Sequence, residues 1–157
     1  MTKPSNPPIF FHFDNTAFSL RNRNRLKHFI VQIFTVKKKK LGCLNYVFSN
    51  DREVLRINRK YLNHDSYTDV IAFDLSDTDQ EVQGEIYVSI DRIKQNARTF
   101  NVSFSEELHR VIFHAVLHLC GYRDKTIDER MVMRAEENRY LTRYFKLFHV
   151  KQLKVIH

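Results

Sequence analysis

Two histidines one helical turn apart, followed by a glycine and an aspartate, restrict the fold of this chain more than any other feature. His114 and His118 lie in the otherwise almost wholly apolar segment 111–120, and Gly121 and Asp124 follow. Residues four apart in a helix project from the same face, because each residue advances about 100° around the axis. An unpaired imidazole is costly to bury. The pattern therefore predicts a helix that presents both rings to one partner and ends where Gly121 adopts a left-handed conformation.

The same residues have the composition of a metal site. A chain reversal after Gly121 would bring Asp124 towards both rings, and two imidazoles with one carboxylate suit zinc or another divalent transition metal. Three protein ligands leave one position for water, which is typical of a catalytic site. We therefore predict that His114, His118 and Asp124 bind one ion and act in catalysis through its bound water. Zinc is the first candidate, and the ligand types also admit nickel, manganese or iron.

Length, composition and charge favour one globular domain with a polyanionic partner. The chain has 157 residues, of which 43% are hydrophobic, and a net charge of +8. This is enough apolar material for one packed core, and the charge points to a partner such as RNA. We expect residues 1–157 to form a single domain with a loose N-terminal leader at residues 1–8.

Several absences in the sequence favour a cytoplasmic protein. No apolar run reaches the roughly 20 residues that a membrane span needs, and the N-terminus lacks the pattern of a signal peptide. Cys43 and Cys120 are too few for a disulfide framework, so we expect both to be reduced.

Hydrophobic periodicity predicts a mixed α/β chain. Strands are predicted at residues 9–13, 44–48, 70–75 and 85–90, and helices at about residues 21–36, 51–62, 91–100 and 126–148. A further helix, which carries both histidines, is predicted to begin after Ser103 or Ser105. The predicted helix caps are Asn50 or Asp51, Asp91, and Ser103 or Ser105. The fold class is therefore α/β (α+β): one small mixed sheet of about four strands, covered by about five helices, with the metal site at the end of a helix.

Two sets of charged residues have more than one interpretation. The four lysines at residues 37–40 favour a solvated helix end over a dedicated RNA contact. Glu136 and Glu137 on the last helix could hydrogen-bond a metal-ligating ring, although a solvated helix face is the commoner environment for such residues.

Three stretches of the sequence resemble the YbeY family, which comprises bacterial endoribonucleases and rRNA maturation factors. Residues 114–124 match the family's His-Gly-x-Leu-His-Leu-x-Gly-Tyr-Asp-His stretch. Asn58, Tyr61 and residues 67–73 match an Asn-x-x-Tyr followed by Pro-Thr-Asp-Val-Leu-Ser-Phe, and residues 84–89 are similar to a Gly-Asp-Ile-x-Ile-Ser strand end. The order and spacing of all three fit, so the resemblance covers about residues 44–133.

The resemblance implies a metal-dependent endoribonuclease directed at single strands. Such an enzyme would act in rRNA maturation, including 16S rRNA 3′ end processing, and in ribosome biogenesis, with RNA and ribosomal components as partners. The candidate substrate-binding neighbours of the ion are Thr68, Asp69, Arg123 and Lys125. Thr68 and Asp69 could instead only shape a turn, and Arg123 and Lys125 could point to solvent.

Three positions depart from the family pattern. Asp124 replaces the usual third histidine ligand, and its negative charge should weaken the pull of the metal on a bound water. Leu62 replaces an arginine that the family places near the RNA backbone, and a leucine cannot contact phosphate. Arg59 or Lys60 could substitute for it, although we expect both to be exposed helix charges. Ala115 replaces a glycine, which a helix interior tolerates well.

Other classes of function are disfavoured in different degrees. Helical zinc proteases carry a glutamate as general base beside the first histidine, and this chain has Ala115 there. Mononuclear iron oxygenases also use two histidines and a carboxylate, but the basic charge argues against them. The main alternative is a non-catalytic RNA-binding ribosome-assembly factor with a structural metal, because Leu62 stands where the family has arginine.

Overall fold

The computed structural model describes the backbone of residues 6–156 and the side chains of residues 6–147. The four strands are β1 (Ile9–Phe13), β2 (Leu41–Ser49), β3 (Val70–Asp74) and β4 (Val82–Ser89). The five helices are α1 (Arg23–Val36), α2 (Asp51–Leu62), α3 (Ile90–Phe100), α4 (Phe104–Leu119) and α5 (Ile127–Ile156). Within these residues the predicted fold class is confirmed. Residues 1–5 of the predicted leader lie outside the described part of the chain.

The sheet is mixed and has the order β1-β2-β4-β3. Strands β1, β2 and β4 run parallel, whereas β3 pairs antiparallel with β4 and forms one edge. Helix α1 connects β1 to β2, because two parallel neighbouring strands require a long crossover connection. Strands β3 and β4 are antiparallel, so a short connection between them suffices. The edge position of β3 leaves one side of this strand open.

One face of the sheet carries most of the core. Tyr46 and Phe48 of β2 are fully buried in the main core cluster, which also contains residues of α4, and the Tyr46 hydroxyl donates to the carbonyl oxygen of Ile112 in α4 at 2.9 Å. On the opposite face a smaller cluster joins α2 to Ile71 of β3 through Val54. Helix α4 is therefore held against the sheet along its apolar face, which fixes where its histidines point.

Two of the predicted helix caps are confirmed, and the third is wrong. Asn50 and Ser103 cap α2 and α4 with their side chains. Helix α3 is capped by Ser89, whose hydroxyl accepts from the backbone N–H of Arg92 at 3.2 Å, and not by Asp91. The reason is that β4 passes into α3 without a loop, so that the last strand residue is itself the cap.

Neither a disulfide nor a membrane-spanning helix is found in the part of the chain that the structure describes. Cys43 and Cys120 are both free thiols, as predicted. No helix among the described residues is both long and apolar enough to cross a bilayer.

Lys37 contradicts the prediction of a fully solvated run of lysines. Only 16% of its side chain is exposed, and its ammonium group lies 2.6 Å from Glu136 and 2.7 Å from the hydroxyl of Tyr122. Burial lowers the pKa of Lys37, but its hydrogen bonds to Glu136 and Tyr122 outweigh this and raise the pKa above its usual value. Lys37 therefore ties the end of α1 to α5 and to the loop after α4.

Replacing Lys37 with methionine should destabilise the fold by about 2 kcal/mol, because Glu136 would keep a largely buried charge without its partner. Urea unfolding would show this as a lower midpoint with an unchanged slope. The exposed Lys39 provides the control, and Lys39→Met should change stability by less than about 0.5 kcal/mol. Equal midpoints for the two variants would contradict a structural role for Lys37.

Candidate metal centre

Helix α4 places its two histidines side by side at the end of the helix nearest the β3 edge. Ser103 caps the first turn of α4 by accepting from the backbone N–H of Glu106 at 3.0 Å. His114 and His118 follow one turn apart, with their ring centroids 4.6 Å apart and their planes at 84°. The predicted arrangement of both rings on one helix face is confirmed.

The turn after α4 depends on Gly121. Its φ is 104°, in the left-handed region, and the N–H of Tyr122 donates back to the carbonyl oxygen of Leu117 at 3.0 Å. A Cβ at Gly121 would meet no atom within 4 Å, so the requirement for glycine is conformational and not steric. This reversal brings Asp124 back towards the helix.

The three predicted ligands meet at one point. Asp124 Oδ2 lies 3.1 Å from His118 Nε2 and 3.4 Å from His114 Nε2, and the ligand atoms of all three residues lie within 4.8 Å of one another. Donor atoms around a tetrahedral zinc ion, with bonds of about 2.1 Å, are about 3.4 Å apart. The cluster therefore could hold one metal ion, as the sequence predicted.

Hydrogen bonds on the far side of both rings orient the cluster. His114 Nδ1 lies 2.5 Å from Glu137 Oε2, and His118 Nδ1 lies 2.9 Å from the carbonyl oxygen of Tyr122. Because a carboxylate and a carbonyl only accept, both Nδ1 atoms carry the proton. Each Nε2 then faces Asp124 Oδ2, and a proton or a metal cation has to lie between them. A single divalent ion satisfies all three atoms at once.

Electrostatics couple His114 to the carboxylates around it. Burial lowers the pKa of His114, but the hydrogen bond and charge of Glu137, with the charges of Asp124 and Asp69, outweigh it and raise the pKa. Burial raises the pKa of Glu137, but His114 and Arg110 together hold it below its usual value. Glu137 is therefore an anion beneath the cluster, and the site favours positive charge.

The solvated helix face that the sequence favoured for Glu136 and Glu137 is wrong for both, whereas the alternative, a hydrogen bond to one of the two candidate ligand rings, is confirmed for Glu137. Glu137 is only 4% exposed and also binds Arg110 at 3.0 Å, and Glu136 binds Lys37. Neither lies on a solvated face. A signal was present in the sequence, because position 137 falls on the buried stripe of α5 between Met133 and Tyr140.

A groove of about 570 Å³ opens beside the cluster, and we call it the metal groove. It is lined by the three predicted ligands, by residues 66–72, and by Asn58, Leu62, His64, Asp74, Ala115 and Leu119. Thr68 and Asp69, two of the predicted substrate-binding residues, lie in this lining. Arg123 and Lys125 do not line it, and both are exposed on either side of Asp124.

The two groove residues from the predicted set are held by local contacts. Thr68 donates through its hydroxyl to the carbonyl oxygen of Val70 at 3.4 Å, and Asn96 donates to Asp69 Oδ2 at 3.3 Å. Burial raises the pKa of Asp69, against smaller opposing effects of His114 and of backbone N–H groups. Both residues thus shape the loop before β3 and face the groove as well.

Comparison with known proteins gives one consistent family. Residues 12–145 match the family model described as Endoribonuclease YbeY. The protein named Endoribonuclease YbeY from Flavobacterium psychrophilum is 45% identical over 144 residues, which cover 92% of this chain and 99% of the relative. Its counterpart from Cytophaga hutchinsonii is 42% identical and covers 85% of this chain and 94% of the relative.

A solved structure agrees in its overall fold. A solution structure of a protein from Thermotoga maritima superposes with a TM-score of 0.55 at 25% sequence identity. The superposition covers 91% of this chain and 93% of the other. The similarity therefore extends over the whole α/β arrangement and not only over the helix that carries the histidines.

Proposed function

Because this chain belongs to the YbeY endoribonuclease family, we propose that it cleaves single-stranded RNA at the cluster of His114, His118 and Asp124 during ribosomal RNA maturation. It is a nuclease, a hydrolase that acts on RNA. The observation that carries the assignment of the centre is the meeting of three ligand atoms beside an open groove.

The donor set fits one divalent ion, for which zinc is our first candidate and nickel, manganese or iron the others. When bound, such an ion polarises a phosphoryl oxygen and lowers the pKa of a coordinated water. The residues of the chain hold and orient it. Glu137 and the carbonyl of Tyr122 fix the two rings, and Asp124 closes the site from the loop after α4.

The open edge of β3 supports a single-stranded substrate. Ser89 N–H donates to the carbonyl of Asp69 and Leu75 N–H to that of Gln83, so alternate residues of β3 pair with β4. The intervening residues turn their backbone N–H and C=O groups to the open edge. Three of them, Val70, Ala72 and Asp74, line the metal groove. These backbone groups can hydrogen-bond the edges of unpaired bases. In a duplex the same edges are occupied by base pairing.

We assign the substrate contacts in two groups. Thr68 and Asp69 act within the metal groove, where their side chains lie. Arg123 and Lys125 act at its rim, where both are exposed on the loop that carries Asp124 and can reach phosphates of a bound strand.

The cellular setting follows from the substrate. The net charge of +8 supports binding to ribosomal RNA. Ribosomal subunits or ribosomal proteins are then further partners, because they carry or surround this RNA. We propose that residues 1–157 act as one domain in the cytoplasm, where ribosomal RNA matures, and that 16S rRNA 3′ end processing is the step served.

Cleavage of a labelled single-stranded RNA by metal-loaded protein tests this function. Asp124→Ala should lower the cleavage rate by about a hundredfold or more, because it removes one of three ligands. Asp77→Ala, at an exposed aspartate between β3 and β4, should cleave like the wild type. Equal rates for Asp124→Ala and the wild type would point to a contaminating nuclease and contradict the proposal.

Chelation separates a catalytic ion from a structural one. A catalytic ion should leave the fold nearly intact when it is removed, while cleavage stops. If the ion is only structural, chelation should lower the melting temperature by several degrees and leave the RNA affinity of the folded protein unchanged. Cleavage of RNA that survives complete removal of metal would contradict the proposed mechanism.

A further inference from the structure

We propose that His64 is a phosphate-binding side chain at the rim of the metal groove. The inference rests on the proposed function, since it assumes that a strand of RNA enters this groove. It adds a substrate-contacting residue outside the metal cluster.

The charge of the groove lining leads to this inference. Among the described residues that line the metal groove there is neither an arginine nor a lysine. Three aspartates do line it: Asp69, Asp74 and Asp124. A phosphodiester is an anion, and contact with it requires a donor that is preferably cationic. Apart from the two histidines of the metal cluster, His64 is the one lining residue that can become positively charged.

The two basic residues near the end of α2 do not take this role. Arg59 binds Asp65 at 2.5 Å, and the ammonium group of Lys60 lies over the ring of Tyr61 at 5.1 Å from its centroid. Neither of these basic residues lines the metal groove, whereas Leu62, which follows them, does. The end of α2 therefore presents an apolar side chain to the groove where a cation would be useful.

The loop that carries His64 is fixed by a buried residue. Helix α2 ends at Asn63 in the left-handed conformation, and the backbone N–H of His64 donates to the carbonyl oxygen of Asn58 at 3.2 Å. Asn58 is 4% exposed and donates from its side chain to the carbonyl oxygen of Ser66 at 2.8 Å. Both ends of the loop are thus pinned, and His64 is held at the rim of the groove.

The imidazole of His64 is available to a ligand. Its side chain is exposed and makes no hydrogen bond or ion pair with another described residue. The two candidate ligand histidines, in contrast, would hold the ion in the metal-loaded protein. A ring N–H of His64 can therefore donate a hydrogen bond to a phosphate oxygen of a bound strand.

A binding experiment tests the inference without relying on turnover. Zinc-loaded protein is titrated into a fluorescent ten-nucleotide RNA with 2′-O-methyl riboses, which is checked to be intact afterwards, and anisotropy gives the dissociation constant. His64→Ala should weaken binding about fivefold, the effect of one phosphate contact. His28→Ala, at an exposed histidine of α1, should bind like the wild type.

A second variant should give the opposite result. His64→Arg keeps a donor that can bind phosphate and always carries a positive charge, so it should bind the RNA at least as tightly as the wild type. The zinc content and melting temperature of each variant are measured alongside, because unchanged values show that the site and the fold are intact.

The outcomes separate this inference from the proposed function. Equal affinities of His64→Ala and His28→Ala, a loss in His64→Arg as large as in His64→Ala, or no binding by the wild type would overturn the role of His64. If binding depends on His64 but unmodified RNA is not cleaved, the RNA contact stands and the nuclease assignment of the metal centre fails.

Discussion

Replacing His118 with alanine is expected to remove the metal ion and abolish RNA cleavage. His118 supplies one of three donor atoms, and its Nε2 lies 3.1 Å from the shared oxygen of Asp124. Two remaining ligands hold a divalent ion poorly, and Asp124 would lose the closer of its two imidazole partners. Metal content measured by mass spectrometry should fall from about one ion per chain to nearly none, and the cleavage rate should fall by about a thousandfold or more.

The matched control for His118→Ala is His28→Ala. His28 is an exposed histidine on α1 and lies outside the metal groove, so this variant should retain wild-type metal content and activity. Equal metal in His118→Ala and the wild type would disprove the metal centre. Equal cleavage with lower metal content would separate RNA hydrolysis from the ion.

Replacing Glu137 with glutamine should lower the metal affinity by about 10- to 100-fold while the protein stays folded. Glutamine keeps an oxygen that can accept from His114 Nδ1, but it lacks the negative charge that makes this ring a better donor. It also weakens the contact with Arg110, which lies 3.0 Å from the carboxylate. Competition with a zinc-binding dye at fixed pH measures the affinity directly.

The neighbouring Glu136 provides a demanding control for this prediction. Glu136 is also largely buried, but it binds Lys37 at 2.6 Å and does not touch a metal ligand. Glu136→Gln should therefore lower the free energy of unfolding without the same loss of metal affinity. Equal metal affinities for Glu137→Gln and the wild type would show that His114 does not depend on the charge behind it.

The departures of this chain from its family pattern meet in one groove. Asp124 stands in the place of a histidine, and a carboxylate adds negative charge to a site already underlain by Glu137. Leu62 stands in the place of an arginine and lines the metal groove. Together they make the groove less positive than the net charge of the whole chain suggests. In such a groove, the proposed ion and the proposed contact from His64 become more important for holding RNA.

Local structure and the proximity of the three candidate ligands could be predicted from the sequence because they depend on short spacings. The four-residue interval between His114 and His118 fixes a common helix face, and Gly121 permits the left-handed turn that returns Asp124. Asn50 and Ser103 cap their helices through contacts only three residues long. The cap at Asp91 was wrong because β4 runs directly into α3, a junction that local residue preferences do not reveal.

By itself, the sequence determined the order of the strands and helices, the composition of the metal cluster and the family. Only the tertiary structure decided what surrounds that cluster: Glu137 behind His114, Lys37 between α1 and α5, and His64 at the rim of the metal groove. The physical reason is distance along the chain. Periodicity shows which face of each helix is buried, but Glu137 is 23 residues from His114 and Lys37 is 99 residues from Glu136. The packing of the helices on the sheet decides which side chains meet across such separations.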